Sequence, residues 1–268
     1  MPSNLRYIKE RRRDITDWVI HWTHRNESNG SPWDVLKQIL MCGYLKPSFA
    51  ARNVKKADGT WEKRNTVRGA YPAVCFSEQP IASFLDSYLA DGHRYGGCGI
   101  AFEKRHLFQY GGRPVIYGDT NLLKRLNDVD KYLWVAYSPL PQPHREYPID
   151  WTHEREWRTR LHCHNIPDWG PTPEEGVPLV LPPIDINGTS PISLPKILVI
   201  NSGIADNVRE FIRSIPEYDG INSYIKHLHT CLTKLEIITL ELIQEKLESG
   251  ADKWTRLDTL PCDEIPEQ

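Results

Sequence analysis

Short runs of β-branched and aromatic residues, separated by prolines and glycines, recur along most of this chain. Such runs predict strands, because these side chains pack well on a pleated surface. We expect strands at 18–23, 73–77, 99–102, 115–117, 132–137, 154–161, 179–181 and 197–201. Prolines cluster in 139–148 and 167–195, and these two stretches are expected to be long ordered loops.

Helical patterns lie between and after these runs. Ser31 and Pro32 are typical of a helix start, and apolar residues then follow at helical spacing until Gly43. A second helix is expected from Pro80 to Gly92, and further helices over 205–212 and 224–247. The sequence therefore predicts an α+β protein, with one domain over 14–203 and a helical C-terminal extension over 204–268 packed on or next to it.

Composition excludes several classes of protein. The 268 residues carry a net charge of −2, so the whole chain does not require a polyanionic partner. No apolar run approaches the roughly 18–20 residues of a membrane span, and no secretory signal is visible, so we expect a cytoplasmic protein without a membrane partner. The six cysteines form no CxxC pair and are expected to be reduced.

The segment 151–158, Trp-Thr-His-Glu-Arg-Glu-Trp-Arg, is the sharpest local pattern. Side chains alternate between the two faces of a strand, so Glu154, Glu156 and Arg158 are expected on one face. Such a face either points outward to solvent or holds a carboxylate that binds a hydroxyl group or stabilises a cation. The pattern alone leaves both interpretations open.

Two other segments carry candidate polar residues. In the run 19–24, strand alternation places His21 and Thr23 on one face and Trp22 on the other. A histidine on a strand is more often a hydrogen-bonded structural residue than a catalytic one, and that alternative stays open. In the run 67–78, Ser77 follows a buried strand and is either a site residue or the N-cap of the next helix.

These three segments, in this order, resemble motifs of the ADP-ribosyltransferase superfamily. His21-Trp-Thr23, followed by a helix that ends at Gly43-Tyr-Leu45, resembles the first motif, most of all in DarT toxins and RNA 2′-phosphotransferases. The stretches 74–78, 95–102, 113–117 and 154–158 look like the AbiGi-type abortive-infection family of bacterial phage defence. The resemblance covers roughly residues 17–160.

The resemblance implies a split β-sandwich that binds NAD as co-substrate. His21 would contact the adenosine-side ribose, and the backbone of Thr23 would bind the nicotinamide amide. Glu156 would be the catalytic glutamate, and Glu154 would engage the acceptor. The other candidate cofactor-binding residues are Trp22, Arg68, Tyr71, Phe76 and Ser77.

The acceptor is expected to be nucleic acid, DNA or RNA, rather than protein. The first motif has His where arginine-modifying members have Arg, and the segment 45–69 combines an excess of lysine and arginine with Phe49 and Trp61. Cations interleaved with aromatic rings suit a single strand, although a solvated basic loop is the plain alternative. The candidate substrate-binding residues are Lys55, Lys56, Arg64, Arg145, Tyr147 and Trp151.

The sequence thus favours an NAD-dependent ADP-ribosyltransferase that acts as a toxin or phage-defence effector, with a possible neutralising protein as partner. One alternative is an NAD glycohydrolase, in which water is the acceptor. Another is a non-catalytic module of the same fold that binds a nucleotide or a partner. No metal is expected, because the histidine–cysteine pairs at 162–164 and 227–231 lack a second pair at ligand spacing.

Overall fold

The computed structural model describes residues 16–24, 30–55, 58–81, 83–86, 96–140, 148–160, 176–181, 194–215 and 223–249, without the side chains of 52–55 and 223–227. The strands are β1 (Trp18–Trp22), β2 (Tyr44–Leu45), β3 (Ala51–Lys55), β4 (Trp61–Asn65), β5 (Val74–Ser77), β6 (Gly99–Glu103), β7 (Arg113–Pro114), β8 (Ile116–Gly118), β9 (Trp134–Ala136), β10 (Glu156–Thr159), β11 (Val177–Pro178), β12 (Lys196–Val199) and β13 (Glu236–Thr239). The helices are α1 (Pro32–Cys42), α2 (Lys104–Gln109), α3 (Thr120–Arg125), α4 (Ser202–Ser214), α5 (Ser223–Leu232) and α6 (Leu240–Glu248), with 3₁₀ turns at Lys131–Leu133 and Thr152–Glu154. Residues 81 and 83–86 are also helical.

A seven-stranded sheet organises the described residues, in the order β13-β12-β6-β1-β5-β10-β7. Its neighbouring strands are antiparallel except β12 and β13, which are parallel. Three two-stranded pairs accompany it: β11 with β2, β3 with β4, and β8 with β9. The α+β class predicted from the sequence is confirmed. None of the helices in the described ranges combines the length and apolarity that a membrane crossing requires.

Apolar side chains cover both faces of the sheet over β13, β12, β6 and β1. On the first face, Val19, Ile100 and Ile197 pack with buried residues of α1, α4 and α5. On the second face, Ile20 and Trp22 pack against Ile81, Phe84 and Leu85 and against α6. Because each strand buries side chains on both faces, these strands read as apolar runs, which made β12, β6 and β1 visible in the sequence.

The second face becomes polar where the sheet continues into β5 and β10. Register pairs Ser77 with Glu156 and Cys75 with Arg158, so these four side chains share one face. Ser77 is also the partner of Ile20 in β1, which identifies this face as the second one. On this second face, helices therefore cover the sheet at β1, and polar side chains occupy it at β5 and β10.

The helix α1 follows the sequence prediction closely. The Ser31 hydroxyl accepts a hydrogen bond from the Asp34 backbone N–H, and the Asp34 carboxylate accepts one from the Ser31 backbone N–H. This reciprocal pair satisfies two N–H groups that a helix start leaves unpaired. Gly43 ends the helix with φ of 78°, a left-handed conformation that glycine adopts without a steric penalty.

Several predictions about elements are wrong. The strand expected over 179–181 is displaced to Val177–Pro178, and the strand expected over 132–137 begins only at Trp134, after a 3₁₀ turn. The continuous helix expected over 224–247 is interrupted by β13, which adds to the sheet beside β12. Ile238 fits the apolar stripe of the expected helix, but parallel pairing of β13 with β12 buries both Ile237 and Ile238, one on each face. The segment between Leu45 and Gly69, expected to be a loop, contains the hairpin of β3 and β4.

The position of β13 predicts that two adjacent isoleucines are equally important for stability. Ile237→Ala and Ile238→Ala should each lower the free energy of unfolding by about 2–4 kcal/mol, because each removes a side chain packed in a separate core layer. Urea unfolding followed by circular dichroism measures this difference, with Lys234→Ala on the exposed turn before β13 as the control. A cost at only one of the two isoleucines would contradict the strand.

Candidate active site

The guanidinium of Arg158 lies at the centre of the polar face. Its side chain is 3% exposed, and its Nε donates a hydrogen bond of 2.7 Å to Glu156 Oε1. Its Nη1 donates to the carbonyl oxygens of Tyr132 at 2.6 Å and Trp134 at 3.1 Å. These bonds compensate the cost of burying the charge and tie β10 to the 3₁₀ turn that precedes β9.

Glu156 is the first residue of β10, and its side chain is 13% exposed. One carboxylate oxygen is held by Arg158, and the backbone N–H of Glu156 donates to the Tyr117 hydroxyl oxygen at 3.0 Å. The strand end, the guanidinium and the phenol together fix the position of this carboxylate. A fixed negative charge with partial access to solvent can stabilise a cation that forms beside it.

Two neutral groups beside Glu156 were not among the predicted site residues. Burial and the nearby Glu156 carboxylate raise the pKa of the Cys75 thiol. Burial raises the pKa of Tyr117 to about 12. Both groups keep their protons at neutral pH, so they add no negative charge to the site. Tyr117 lies in a predicted strand, but the sequence pattern does not reveal that its hydroxyl reaches another strand.

The expectation that Glu154 and Glu156 lie on the same face of one strand is wrong. Glu154 ends the 3₁₀ turn Thr152–Glu154, and Arg155 has a left-handed φ of 44°, so β10 begins only at Glu156. The Ser77 hydroxyl donates to the Glu154 carbonyl oxygen at 3.0 Å and accepts from the Gln79 backbone N–H at 3.2 Å. Ser77 therefore fixes the turn that leads into Glu156.

His21 does not share a face with Glu156. Register pairs Trp157 with Phe76 on the face opposite Glu156, and the His21 ring contacts Phe76 edge-on at 5.9 Å between centroids. His21 Nδ1 lies 2.9 Å from the Cys75 carbonyl oxygen, which can only accept, so Nδ1 carries the proton. Burial lowers the pKa of His21 to about 4, and the ring is neutral at pH 7.

Three other predicted cofactor residues are built into the fold. Trp22 is buried and stacks on Phe84 at 3.7 Å, and Phe76 is buried in the core of the first face. The Thr23 backbone N–H donates to Cys98 O, and its carbonyl accepts from Gly96. The Thr23 hydroxyl also donates to Cys98 O. The backbone role that the resemblance implies for Thr23 is thus not available in this conformation.

Arg68 and Tyr71 lie near the edge of the polar face. Tyr71 is exposed, and the Arg160 guanidinium lies 4.7 Å from its ring centroid. Arg68 lines a surface cavity together with residues of α3 and of the segment that follows it. Neither side chain has a described hydrogen bond to Glu156 among the residues that the structure covers.

The predicted substrate-binding residues are separated in the fold. Arg64 on β4 forms an ion pair with Glu62 at 2.9 Å, and Trp151 lies beside His153 with 6.2 Å between ring centroids. Lys55 is the register partner of Trp61 at the end of β3. The side chain of Lys55, and all of Lys56, Arg145 and Tyr147, lie outside the described residues.

Comparisons with known proteins give no relative for this chain. No family model matches it, and no curated protein or solved structure matches it either. The resemblance to ADP-ribosyltransferases therefore stays a prediction that rests on the motifs. Within the described ranges, no group of three or more histidine, cysteine, aspartate or glutamate side chains is arranged to hold a metal ion.

The half-buried His21 predicts a pH-dependent stability. Its folded pKa of about 4 lies below the ordinary value of 6.5, so the unfolded chain takes up the proton first as the pH falls. The free energy of unfolding should therefore decrease between pH 6.5 and pH 4, by at most about 3 kcal/mol from this residue. Stability from this source is complete above pH 6.5.

The variant His21→Asn isolates this contribution. Its amide nitrogen can replace Nδ1 as donor to Cys75 O, but it does not titrate. Urea unfolding at several pH values should show a smaller loss of stability for the variant than for the native chain as the pH falls. Parallel pH profiles for the two proteins would show that His21 is not held neutral by the fold.

Proposed function

We propose that this protein transfers ADP-ribose from NAD to nucleic acid, with Glu156 as the catalytic residue. The observation that carries the proposal is the Glu156 carboxylate, which Arg158 and the strand end hold in one position while part of its surface stays accessible. In this proposal the sheet is the core of an ADP-ribosyltransferase-like split β-sandwich. The chain acts as a phage-defence toxin and has a neutralising protein as partner.

The reaction breaks the bond between nicotinamide and the C1′ carbon of ribose. Nicotinamide leaves with the bonding electrons, and positive charge develops on the ribose as in glycoside cleavage. A carboxylate that accepts a hydrogen bond from the ribose 2′-hydroxyl stabilises this charge more than it stabilises the uncharged ribose of bound NAD. A nucleophilic oxygen or nitrogen of the acceptor then bonds to C1′ and releases its proton to solvent.

The surroundings of Glu156 suit this role. Cys75 and Tyr117 are neutral at pH 7, so neither competes with the carboxylate for the developing cation. Tyr117 accepts the Glu156 N–H through its oxygen, and its own proton is available to a ligand hydroxyl or phosphate. Arg158 binds one carboxylate oxygen and is anchored by two carbonyls, so it orients Glu156 without moving with it.

The hairpin of β3 and β4 supports a nucleic-acid acceptor. Strand alternation places Trp61 and Lys63 on one face of β4 and Glu62 and Arg64 on the other. Trp61 is 68% exposed, which is unusual for so large an apolar ring and suits stacking on a base. Arg64 is neutralised by Glu62, so the charge that would attract a phosphate on this strand is that of Lys63.

A second candidate function follows from the first motif. His21 and Thr23 are hydrogen-bonded within the fold and lie away from Glu156, so the motif does not assemble a site with that carboxylate. This arrangement favours a module that binds nucleic acid or nucleotide without transferring ADP-ribose. The two functions differ in whether the protein releases nicotinamide from NAD.

The proposal predicts that Glu156→Gln lowers the rate of transfer by about 100–1000-fold, because it removes the charge but keeps a similar shape. The native chain and the variant are incubated with NAD labelled in its adenylate part and with separate pools of DNA, RNA and cell protein. Label should enter a nucleic-acid pool with the native chain only. Glu210→Gln, on the exposed face of α4, is the matched control and should keep full activity.

Thermal unfolding of Glu156→Gln separates a lost charge from a lost fold. Full activity in a variant that melts like the native chain would remove Glu156 from the mechanism. Free nicotinamide without labelled polymer would indicate a glycohydrolase. Nucleic-acid binding without any release of nicotinamide by the native chain would favour the binding module.

The two faces of β4 give a separate prediction about the acceptor. Lys63→Ala should weaken binding of a single-stranded oligonucleotide and reduce its salt dependence, whereas Arg64→Ala should change both much less, because Glu62 already neutralises that arginine. Trp61→Ala should weaken binding by about 1–3 kcal/mol through lost stacking. Fluorescence anisotropy at several salt concentrations measures these effects. Equal losses for Lys63→Ala and Arg64→Ala would contradict the assignment of faces.

A further inference from the structure

A cavity of about 420 Å³ lies between residues 68–70, which follow β4, and residues 123–131, which include the end of α3. Its lining comes from two parts of the chain, and consists of Arg68, Gly69, Ala70, Leu123, Lys124, Asp128 and Lys131. Three of these side chains are cationic and one is anionic. The anionic one, Asp128, forms an ion pair with Lys131 at 2.6 Å, so the positive charge of Arg68 and Lys124 remains in excess.

The Arg68 guanidinium supplies the second observation. Its Nε is buried and has no hydrogen-bond partner among the described residues. A buried N–H without a partner is costly, and the great majority of such groups in folded proteins are paired. A phosphate oxygen in the cavity would accept this hydrogen bond, and a guanidinium is well suited to phosphate because its donors match the spacing of phosphate oxygens.

The backbone of the cavity is fixed by a close approach at Gly69. This residue has φ of +87°, and a Cβ placed on it would lie 2.5 Å from Asp128 O and 2.8 Å from Lys131 Cβ. Only glycine can stand there without displacing the segment 128–131. The segment is held from its other side, because the Tyr132 carbonyl accepts from Arg158. The backbone at Gly69 and the backbone of 128–132 are therefore both fixed in position, and the cavity that Arg68 and Lys131 line lies between them.

We propose that this cavity binds a backbone phosphate of a single-stranded nucleic acid whose base stacks on Trp61. The inference rests on the nucleic-acid acceptor proposed above and adds a second contact point to it. No aromatic side chain is among the described residues that line the cavity, so these residues offer charge for a phosphate but no ring for a base. Arg68 lies seven residues after Trp61 in the sequence, so the two positions are at most about 25 Å apart, a distance that a few nucleotides of one strand span.

The test compares three glutamine variants in binding of a labelled single-stranded oligonucleotide, without NAD. Arg68→Gln and Lys124→Gln each remove one positive charge from the cavity. Lys246→Gln is the matched control, because Lys124 and Lys246 are both exposed lysines in the last turn of a helix. Thermal unfolding of each variant checks that the fold is retained, and Lys124, being exposed, can be replaced without loss of packing.

The expected result is a shallower salt dependence for both cavity variants. The slope of the logarithm of the binding constant against the logarithm of salt concentration should fall by about 0.7 for each lost phosphate contact. Arg68→Gln should also weaken binding by about tenfold or more at low salt, since it removes a hydrogen bond to a charged group. Lys246→Gln should match the native chain in both measurements.

Other outcomes overturn the inference in distinguishable ways. Unchanged slopes for Arg68→Gln and Lys124→Gln would show that no strand phosphate occupies the cavity. Unchanged oligonucleotide slopes, together with weaker direct binding of inorganic phosphate to Arg68→Gln than to the native chain, would assign the cavity to a free phosphate instead. Reduced slopes in a protein that never transfers ADP-ribose would overturn the proposed enzyme activity and leave this binding site in place.

Discussion

The buried guanidinium of Arg158 is the constraint on which the candidate site depends. A charge removed from water is tolerated only when its donors are satisfied, and removal of one partner of such a pair is typically costly. Here the partners are a carboxylate on the same strand and two carbonyls on a separate segment. One side chain therefore orients Glu156, fixes the 3₁₀ turn before β9, and positions Lys131 at the neighbouring cavity.

The central sheet explains why polar chemistry is found at this end. Over β13, β12, β6 and β1 helices cover both faces, and the buried charge of Lys196 on β12 is paired with Glu236 on β13. At β5 and β10 the second face leaves this cover, so Ser77 and Glu156 reach partial exposure on strands whose other face still lies in the core. Phe76 and Trp157 supply that buried face, which gives the site a rigid support.

How far the sequence could predict this arrangement differs between elements. The helix α1 was predictable because its cap, its apolar spacing and its final glycine are all local signals. The buried runs of β1, β5 and β6 were predictable because their composition fits only strands. The strand β13 was not, since a four-residue apolar run next to helical segments has no periodicity of its own, and pairing with β12 decided its conformation.

The same distinction applies to the site residues. Glu156 and Arg158 were identified as neighbours on one strand face, but their partners Tyr117, Tyr132 and Trp134 come from segments that sequence spacing does not relate to them. Glu154 was wrongly placed on that face. The left-handed conformation of Arg155 interrupts the extended backbone, so β10 begins only at Glu156 and Glu154 lies before it. The resemblance assigned His21 and Glu156 to one NAD site, but strand register places the two on opposite faces of the sheet.

The sequence by itself determined the α+β class, the capped helix α1, the core strands and the chemical character of the segment 151–158. These features depend on interactions within a few residues or on composition, which a single chain displays directly. The tertiary structure alone decided which face each polar residue occupies, which carbonyls satisfy Arg158, and that Arg68 and Lys131 line one cavity. These depend on strand register and on contacts between distant segments, where a shift of one residue moves a side chain to the other face.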